Sequence, residues 1–227
     1  MKKEAWILNL NGSMPYEQAF ELQKKLVKMR AQDAVNDTLI LLEHPPVFTV
    51  TTKDTLKNIL ASPQELKEKG ISLCTTNRGG DITYHGPGQL VGYPIMDLKA
   101  HGKDLHKYIR AIEEMIIRLL MDYTITANRD PEHPGVWVGD EKIAAIGIAV
   151  KSSWITMHGF SLNINPDLSH YSLIVPCGIT NRGVTSLSKI LEKPNSQEQV
   201  RKRLIHHYGE LFNLSTKEIT LEDIAWQ

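Results

Sequence analysis

The chain has 227 residues, 41% hydrophobic and 23% charged, and its 26 basic and 26 acidic side chains cancel. Balanced charge with scattered basic residues argues against a nucleic-acid or membrane-surface partner, and the apolar fraction fits an ordinary water-soluble globular chain. No run reaches the ~18 apolar residues of a membrane span, and the apolar stretch in the opening MKKEAWILNLNGS is too short for a signal peptide. Two cysteines, Cys74 and Cys177, far apart in the chain do not look like a disulfide framework, so a reducing cytoplasm is the expected location.

In chain order, WILNL (6–10) predicts a strand. Ser13 and Pro15 suit the start of a helix carrying Ala19, Leu22, Leu26 and Met29 at helical spacing. TLILLEH (38–44) and VFTVTT (47–52) predict strands separated by Pro45-Pro46. Ser62, Pro63 and Glu65 mark a capped helix that ends at Gly70. ISLCTTN (71–77) predicts a strand. A long helix is expected from about Lys103, with a stripe of Leu105, Ile109, Ile112, Ile116 and Leu119. GVWVGDEKIAAIGIAV (135–150) predicts a hairpin turning at Gly139-Asp140, and WITMHGFSLNIN (154–165) predicts the next strand. Ser196 and Gln199 cap a last helix, which is followed by a polar tail. Strands grouped mid-chain, with no linker or repeat, predict one α+β (mixed α/β) domain over residues 1–227, built on a largely antiparallel sheet.

The segment RGGDITYHGPGQLVGYP (78–94) is the densest in glycine. It matches neither common phosphate-binding glycine fingerprint. Glycine lets a backbone come into contact with a ligand or turn with positive φ, and Pro87 stiffens the loop, so a clamp on a slim ligand is one reading. Paired tight turns around a hairpin, with His85 as a structural histidine, is the other. The segment holds no Ser or Cys to act as a nucleophile. Cys177, between Pro176 and Gly178, stands at a strand end or turn, and Gly178 leaves room for a backbone amide to face a reacting carbonyl. Cys74 reads as a small apolar residue inside a strand. Candidate bases are His85, His158 and Lys142. Lys142 borders the apolar IAAIGIAV, where it either snorkels to water or is partly desolvated.

Four blocks then match one family. RGGDITYHGPGQLVGYP, EKIAAIGIAV (141–150), HGFSLNINPDL (158–168) and IVPCGITNRGVTSL (174–187) resemble, in order and spacing, the signature blocks of the lipoate–protein ligase B family, the octanoyl-(acyl-carrier-protein):protein N-octanoyltransferases. The resemblance runs over roughly residues 6–190. One departure is Thr51-Thr52-Lys53, where the family tends to carry a glycine. The resemblance implies the catalytic fold of biotin and lipoate protein ligases, a mixed sheet flanked by helices with an acyl tunnel. It implies octanoyl transfer from acyl carrier protein, through a Cys177 thioester with Lys142 as acid and base. The acceptor is then a lysine on lipoyl domains of 2-oxoacid dehydrogenase E2 subunits or on the glycine-cleavage H protein. It further implies an acyl site lined by Arg78, Gly79, Gly80, Asp81, Ile82, Thr83, Tyr84, His85, Ala145, Ile146, Gly147, Gly159, Phe160 and Ser161. No cofactor, metal, nucleic acid or membrane is expected. Two rivals stand beside this reading: an ATP-dependent lipoate ligase of the same fold, and a metal- or ligand-binding protein using His85, His158 and Cys177.

Overall fold

The structure, a computed structural model, describes residues 2–178 and 182–226; the side chains of Lys53, Ser152 and Cys177 lie outside the described atoms. Twelve strands are assigned among these residues: β1 Lys3–Ser13, β2 Thr38–Glu43, β3 Val47–Val50, β4 Ser72–Thr75, β5 Thr83–His85, β6 Gln89–Ile95, β7 Asn128–Arg129, β8 Gly135–Val138, β9 Glu141–Lys151, β10 Ile155–Asn163, β11 Gly183–Val184 and β12 Leu214–Ile219. The helices are α1 Tyr16–Ala31, α2 Pro63–Glu68, α3 Leu105–Met121, α4 Leu187–Leu191 and α5 Gln197–Leu211.

The main sheet runs β12-β1-β2-β6-β10-β9-β8-β7, with β11 added alongside β9, and a smaller sheet runs β4-β3-β5. The main sheet is mixed. β12, β1 and β2 pair in parallel, and from β2 through β7 the pairs are antiparallel. The parallel part was not legible in the strand sequences, because it depends on α1 crossing back between β1 and β2. The tail that reads as polar is in fact the edge strand β12. An edge strand needs only backbone partners on one side, so polar residues along its length cost little.

Alternation assigns the two faces of the sheet. Ile7, Leu39 and Leu41 pack into one core with Ile112, Ile116 and Leu119 of α3 and Leu204 and Tyr208 of α5. Leu8, Ile40 and Leu42 pack on the opposite face with Ala19, Leu22, Leu26 and Met29 of α1. The α3 stripe is rotated from its expected centre: Tyr108, Met115 and Leu120 are buried, while Leu105 and Ile109 sit at its margin. Helix α1 begins one residue after Pro15 without a side-chain cap, and Ser13 ends β1 instead. The hydroxyls of Ser62 and Ser196 accept from the amides of Glu65 and Gln199 as the sequence suggested. At Thr51-Thr52-Lys53 the chain enters a 3₁₀ helix, Lys53–Asn58, and Thr52 and Thr55 satisfy one another's backbone there as a capping box.

β10 crosses β6 so closely that only glycine fits at one position. A Cβ on Gly159 would stand 2.0 Å from the Gly92 carbonyl oxygen and 2.7 Å from Pro94 Cδ. Both neighbours belong to the paired strand, so the strands would have to separate. Gly159→Ala is expected to destabilise the fold by about 1–3 kcal/mol, read as a lower chemical-denaturation midpoint with an unchanged slope.

Candidate active site

A cavity opens between the main sheet and the smaller one. β9 contributes Ala145, Ile146 and Gly147, and β10 contributes His158, Gly159, Phe160 and Ser161. Arg78, Gly80, Thr83 and His85 come from the glycine segment, Tyr16 from α1 and Tyr93 from β6.

The glycines of residues 78–80 answer a close backbone approach. The Gly79 amide donates to the Ile148 carbonyl at 3.1 Å, and a Cβ on Gly147 would stand 2.8 Å from the Gly79 carbonyl oxygen. The loop therefore lies flat against β9, which side chains at these positions would prevent. Arg78 holds it in place by donating through Nη2 to the carbonyl and hydroxyl of Thr49, both at 3.0 Å. Along β5 the side chains alternate. Thr83 and His85 face the cavity, whereas Ile82, just before the strand, and Tyr84 pack behind it with Phe48 and Tyr171. Asp81 accepts from the Asn58 side-chain amide at 2.5 Å and from its neighbour Ile82 at 2.7 Å, bracing the segment from outside the cavity. Gly79 contributes its backbone contact to β9 and is not part of the cavity lining.

A second, smaller cavity is lined by Thr83, Lys142, Ala144, Ala145, Asn163, Tyr171, Pro176 and Val184. Thr83 and Ala145 line both cavities, so the two lie side by side against these residues. Lys142 is half-buried, and its Nζ donates to the Pro134 carbonyl at 3.3 Å and lies 4.7 Å from the centre of the Trp137 ring. The backbone of Cys177 lies in the 3₁₀ turn Pro176–Gly178, which packs against β5. Its thiol, and residues 179–181 of the same block, are outside the described residues. The chain returns as β11, with Gly183 and Val184 paired in parallel to Glu141 and Lys142. The Gly178 amide donates to the Val175 carbonyl at 3.1 Å, within the turn.

The histidines around the first cavity are uncharged at neutral pH. Burial first, and then the nearby His44 and Arg78, pushes His85 down to about 3. Burial, followed by the charges of Arg78 and Lys151, takes His158 down to about 3. Burial also takes His44 down to about 4. Each ring has a defined role in hydrogen bonding: His85 Nδ1 donates to Gln89 Oε1 at 2.7 Å and His158 Nε2 to Asn77 Oδ1 at 2.9 Å. His44 donates to the Met14 carbonyl at 2.6 Å and accepts from the Tyr93 hydroxyl at 2.7 Å. Tyr16, Tyr93 and His44 were not singled out in the sequence. They lie on α1, on β6 and just after β2, and only the packing of α1 on the sheet gathers them. Among the described residues, no group of three or more His, Cys, Asp or Glu is placed to hold a metal ion, and no helix is long and apolar enough to cross a membrane.

Comparisons with known proteins agree with this architecture. The structure superimposes on lipoate-protein ligase A bound with ATP with a TM-score of 0.75 at 16% identity, over 98% of this chain and 90% of that one. At that identity the likeness concerns the fold. In sequence, the chain is 49% identical to an octanoyltransferase of Desulforamulus reducens, covering 92% of this chain and 91% of the relative. It is 48% identical to an octanoyltransferase of Caldicellulosiruptor saccharolyticus, covering 92% and 89%. The family profile described as lipoyl protein ligase A/B catalytic domain matches residues 15–209. On that match and those relatives, the chain belongs to the lipoyl protein ligase A/B catalytic domain family and stands among its octanoyltransferases, which are acyltransferases.

Proposed function

We propose that residues 1–227 act as one catalytic domain that moves an octanoyl group from acyl carrier protein to a lysine ε-amine. The acceptors are lipoyl domains of 2-oxoacid dehydrogenase E2 subunits and the glycine-cleavage H protein, in the cytoplasm, as the first step of lipoate assembly on those proteins. The observation that supports this most is that Lys142 and Pro176, the neighbour of Cys177, line one cavity that adjoins the larger one at Thr83 and Ala145.

In the first step Lys142 takes the thiol proton of Cys177, and the thiolate adds to the thioester carbonyl. The C–S bond to the carrier's pantetheine breaks, and the departing sulfur receives the proton back from Lys142. One thioester replaces another, so the step is close to balanced in energy, and sulfur suits it better than oxygen. In the second step the acceptor lysine's amine attacks the Cys177 thioester. Lys142 takes the amine's proton and returns it to the sulfur of Cys177. His85 and His158 line the acyl cavity, but held near 3 they are too weak as bases to serve either step.

The decisive test is mass spectrometry of the protein after exposure to octanoyl-acyl carrier protein without ATP. The expected result is an octanoyl adduct on Cys177 that hydroxylamine removes. Transfer that needs ATP and free octanoate, with no such adduct, overturns the reading in favour of a ligase.

The cavity also predicts chain length. Strand register places Ser161 opposite Ala145 near the Lys142 end, and His158 opposite Ile148 at the other end. The rise between them is about 10 Å, the scale of an extended eight-carbon chain. Tyr16 and Tyr93 line the same cavity. Each buried methylene contributes ~0.8 kcal/mol, so burial alone would favour longer chains and a closed end is needed to reject them. Octanoyl thioesters should therefore exceed palmitoyl thioesters in kcat/KM by about tenfold or more. Comparable values for the two would show that the cavity has no such end.

A further inference from the structure

The pairing of β8 with β9 contains an irregularity beside Lys142. Val136 lies opposite Ala144, but Trp137 lies opposite Lys142, so one residue of β9, Ile143, is extra. In a regular ladder Trp137 would face Ile143. The bulge turns Lys142 onto the face that Trp137 occupies. The Trp137 ring is 2% exposed, and its Nε1 donates to the His133 carbonyl at 3.3 Å, which fixes its plane.

Two cations lie against that one ring. Lys142 Nζ is 4.7 Å from the ring centre, and the Arg182 guanidinium carbon is 3.8 Å from it. Arg182 belongs to the segment returning from the cysteine turn, directly before β11. It is anchored by a short ion pair to Asp130 and by Asp140 at 3.5 Å. Its Nε is buried and has no hydrogen-bond partner among the described residues, as expected for a guanidinium lying flat on an indole. β11 in turn pairs with Lys142 itself, and the Thr185 amide donates to the Lys142 carbonyl at 3.0 Å.

We propose that Trp137 and Arg182 are positioning residues for Lys142: the buried indole seats the lysine's ammonium and the guanidinium together, holding the strand that returns from Cys177 and the base that serves Cys177 on one platform. This rests on the Cys177–Lys142 reading above. Charged groups near Lys142 have the following partners among the described residues. Asp130 and Asp140 bind Arg182, Glu141 binds Lys189 at 2.7 Å, and Glu113, which accepts from the Gly135 amide, binds Arg110 at 2.7 Å. The His133 ring is tilted against Trp137, with ring centres 6.5 Å apart, and Asp81 bonds to Asn58.

The test compares Trp137→Phe, Trp137→Leu and Arg182→Gln, each alone and in a Lys142→Ala background. Single-turnover acylation of Cys177 by octanoyl-acyl carrier protein is followed by mass spectrometry, together with the pH profile of Cys177 alkylation by iodoacetamide. Trp137→Leu and Arg182→Gln should lower the acylation rate about tenfold to a hundredfold with donor KM nearly unchanged. They should also move the alkylation profile in the direction that Lys142→Ala moves it. Trp137→Phe, which keeps an aromatic face, should restore most of the rate. In the Lys142→Ala background the additional losses should vanish, because residues that act through one lysine are not additive. Full additional losses in that background, or unchanged rates in both single variants, would overturn the proposal. Should Trp137→Leu fail to fold by circular dichroism, Arg182→Gln, at a side chain that is 20% exposed, decides the matter. A Lys142→Ala protein with wild-type acylation and alkylation sinks the Cys177–Lys142 reading itself, and this inference with it.

Discussion

Replacing Cys177 with Ala should abolish octanoyl transfer to a lipoyl domain, a loss on the order of 10³-fold or more, while Cys74→Ala should leave transfer near the wild-type rate. The two thiols differ in surroundings. Cys74 lies in β4, paired with β3 and buried, and its thiol donates to Glu17 Oε1 at 2.6 Å. Burial first, and then the Glu17 carboxylate, pushes this thiol up to about 12. At pH 8 only about one Cys74 in ten thousand is therefore a thiolate, the form that attacks. Cys177 instead occupies a turn between a proline and a glycine with φ of +70°, beside the cavity that Lys142 lines. Cys177→Ser should be nearly as inactive as Cys177→Ala, because a hydroxyl is far harder to deprotonate than a thiol and its ester is a poorer acyl donor to an amine. The measurement is the rate of acceptor octanoylation with all three variants confirmed folded. Equal loss on replacing either cysteine would reject the assignment of roles.

Lys142→Arg should lose almost as much activity as Lys142→Ala, about 10²–10⁴-fold. The substitution separates charge from proton transfer. A guanidinium keeps the positive charge and can still lie on the Trp137 ring, but it does not give up a proton near neutral pH. If Lys142 only stabilised a thiolate by its charge, arginine would preserve most of the rate. Both proposed steps move a proton, off Cys177 and then off the incoming amine, so both should fail. His85 is the nearest alternative suggested by the sequence. It is buried with Nδ1 committed to Gln89, and at about 3 it cannot compete for a proton from a thiol or an amine. The check is to measure Cys177 acylation and transfer to the lipoyl domain separately from pH 6 to 10, in wild type and both variants. An arginine variant retaining most of the wild-type rate in both steps would leave Lys142 as a fixed charge only.

Much of this protein is decided within short windows of sequence. Alternation, apolar runs and helical spacing placed β2, β3, β8, β9, β10 and α1 to within a few residues, and capping signals placed α2 and the start of α5, because each carries its own local pattern or start and stop signals. The hairpin at Gly139 follows from a local backbone need, met with φ of +57°. Four ordered blocks carried the family, because backbone contacts such as Gly79 on Gly147 leave little freedom in residue choice.

Other features exist only once the chain has folded. Pairing between β1 and β12 joins the two ends of the chain, and no local pattern in KEAWILNLNGS or LSTKEI announces it. Tyr16 and Tyr93 are unremarkable in their own elements and become cavity walls because α1 packs across β10 and β6. Ile82 and Tyr84 stand inside the signature block, yet they face away from the cavity, since successive strand residues point to opposite sides and only the packing of a second sheet decides which side is which. Lys142 was visible as a cation bordering an apolar strand. Its place opposite Trp137 was set by a single-residue bulge, which depends on pairing between two strands and not on the sequence of either. Local sequence thus determined the elements and the residue types the chemistry needs, whereas register, crossover and sheet packing, all non-local, decided which side chains meet.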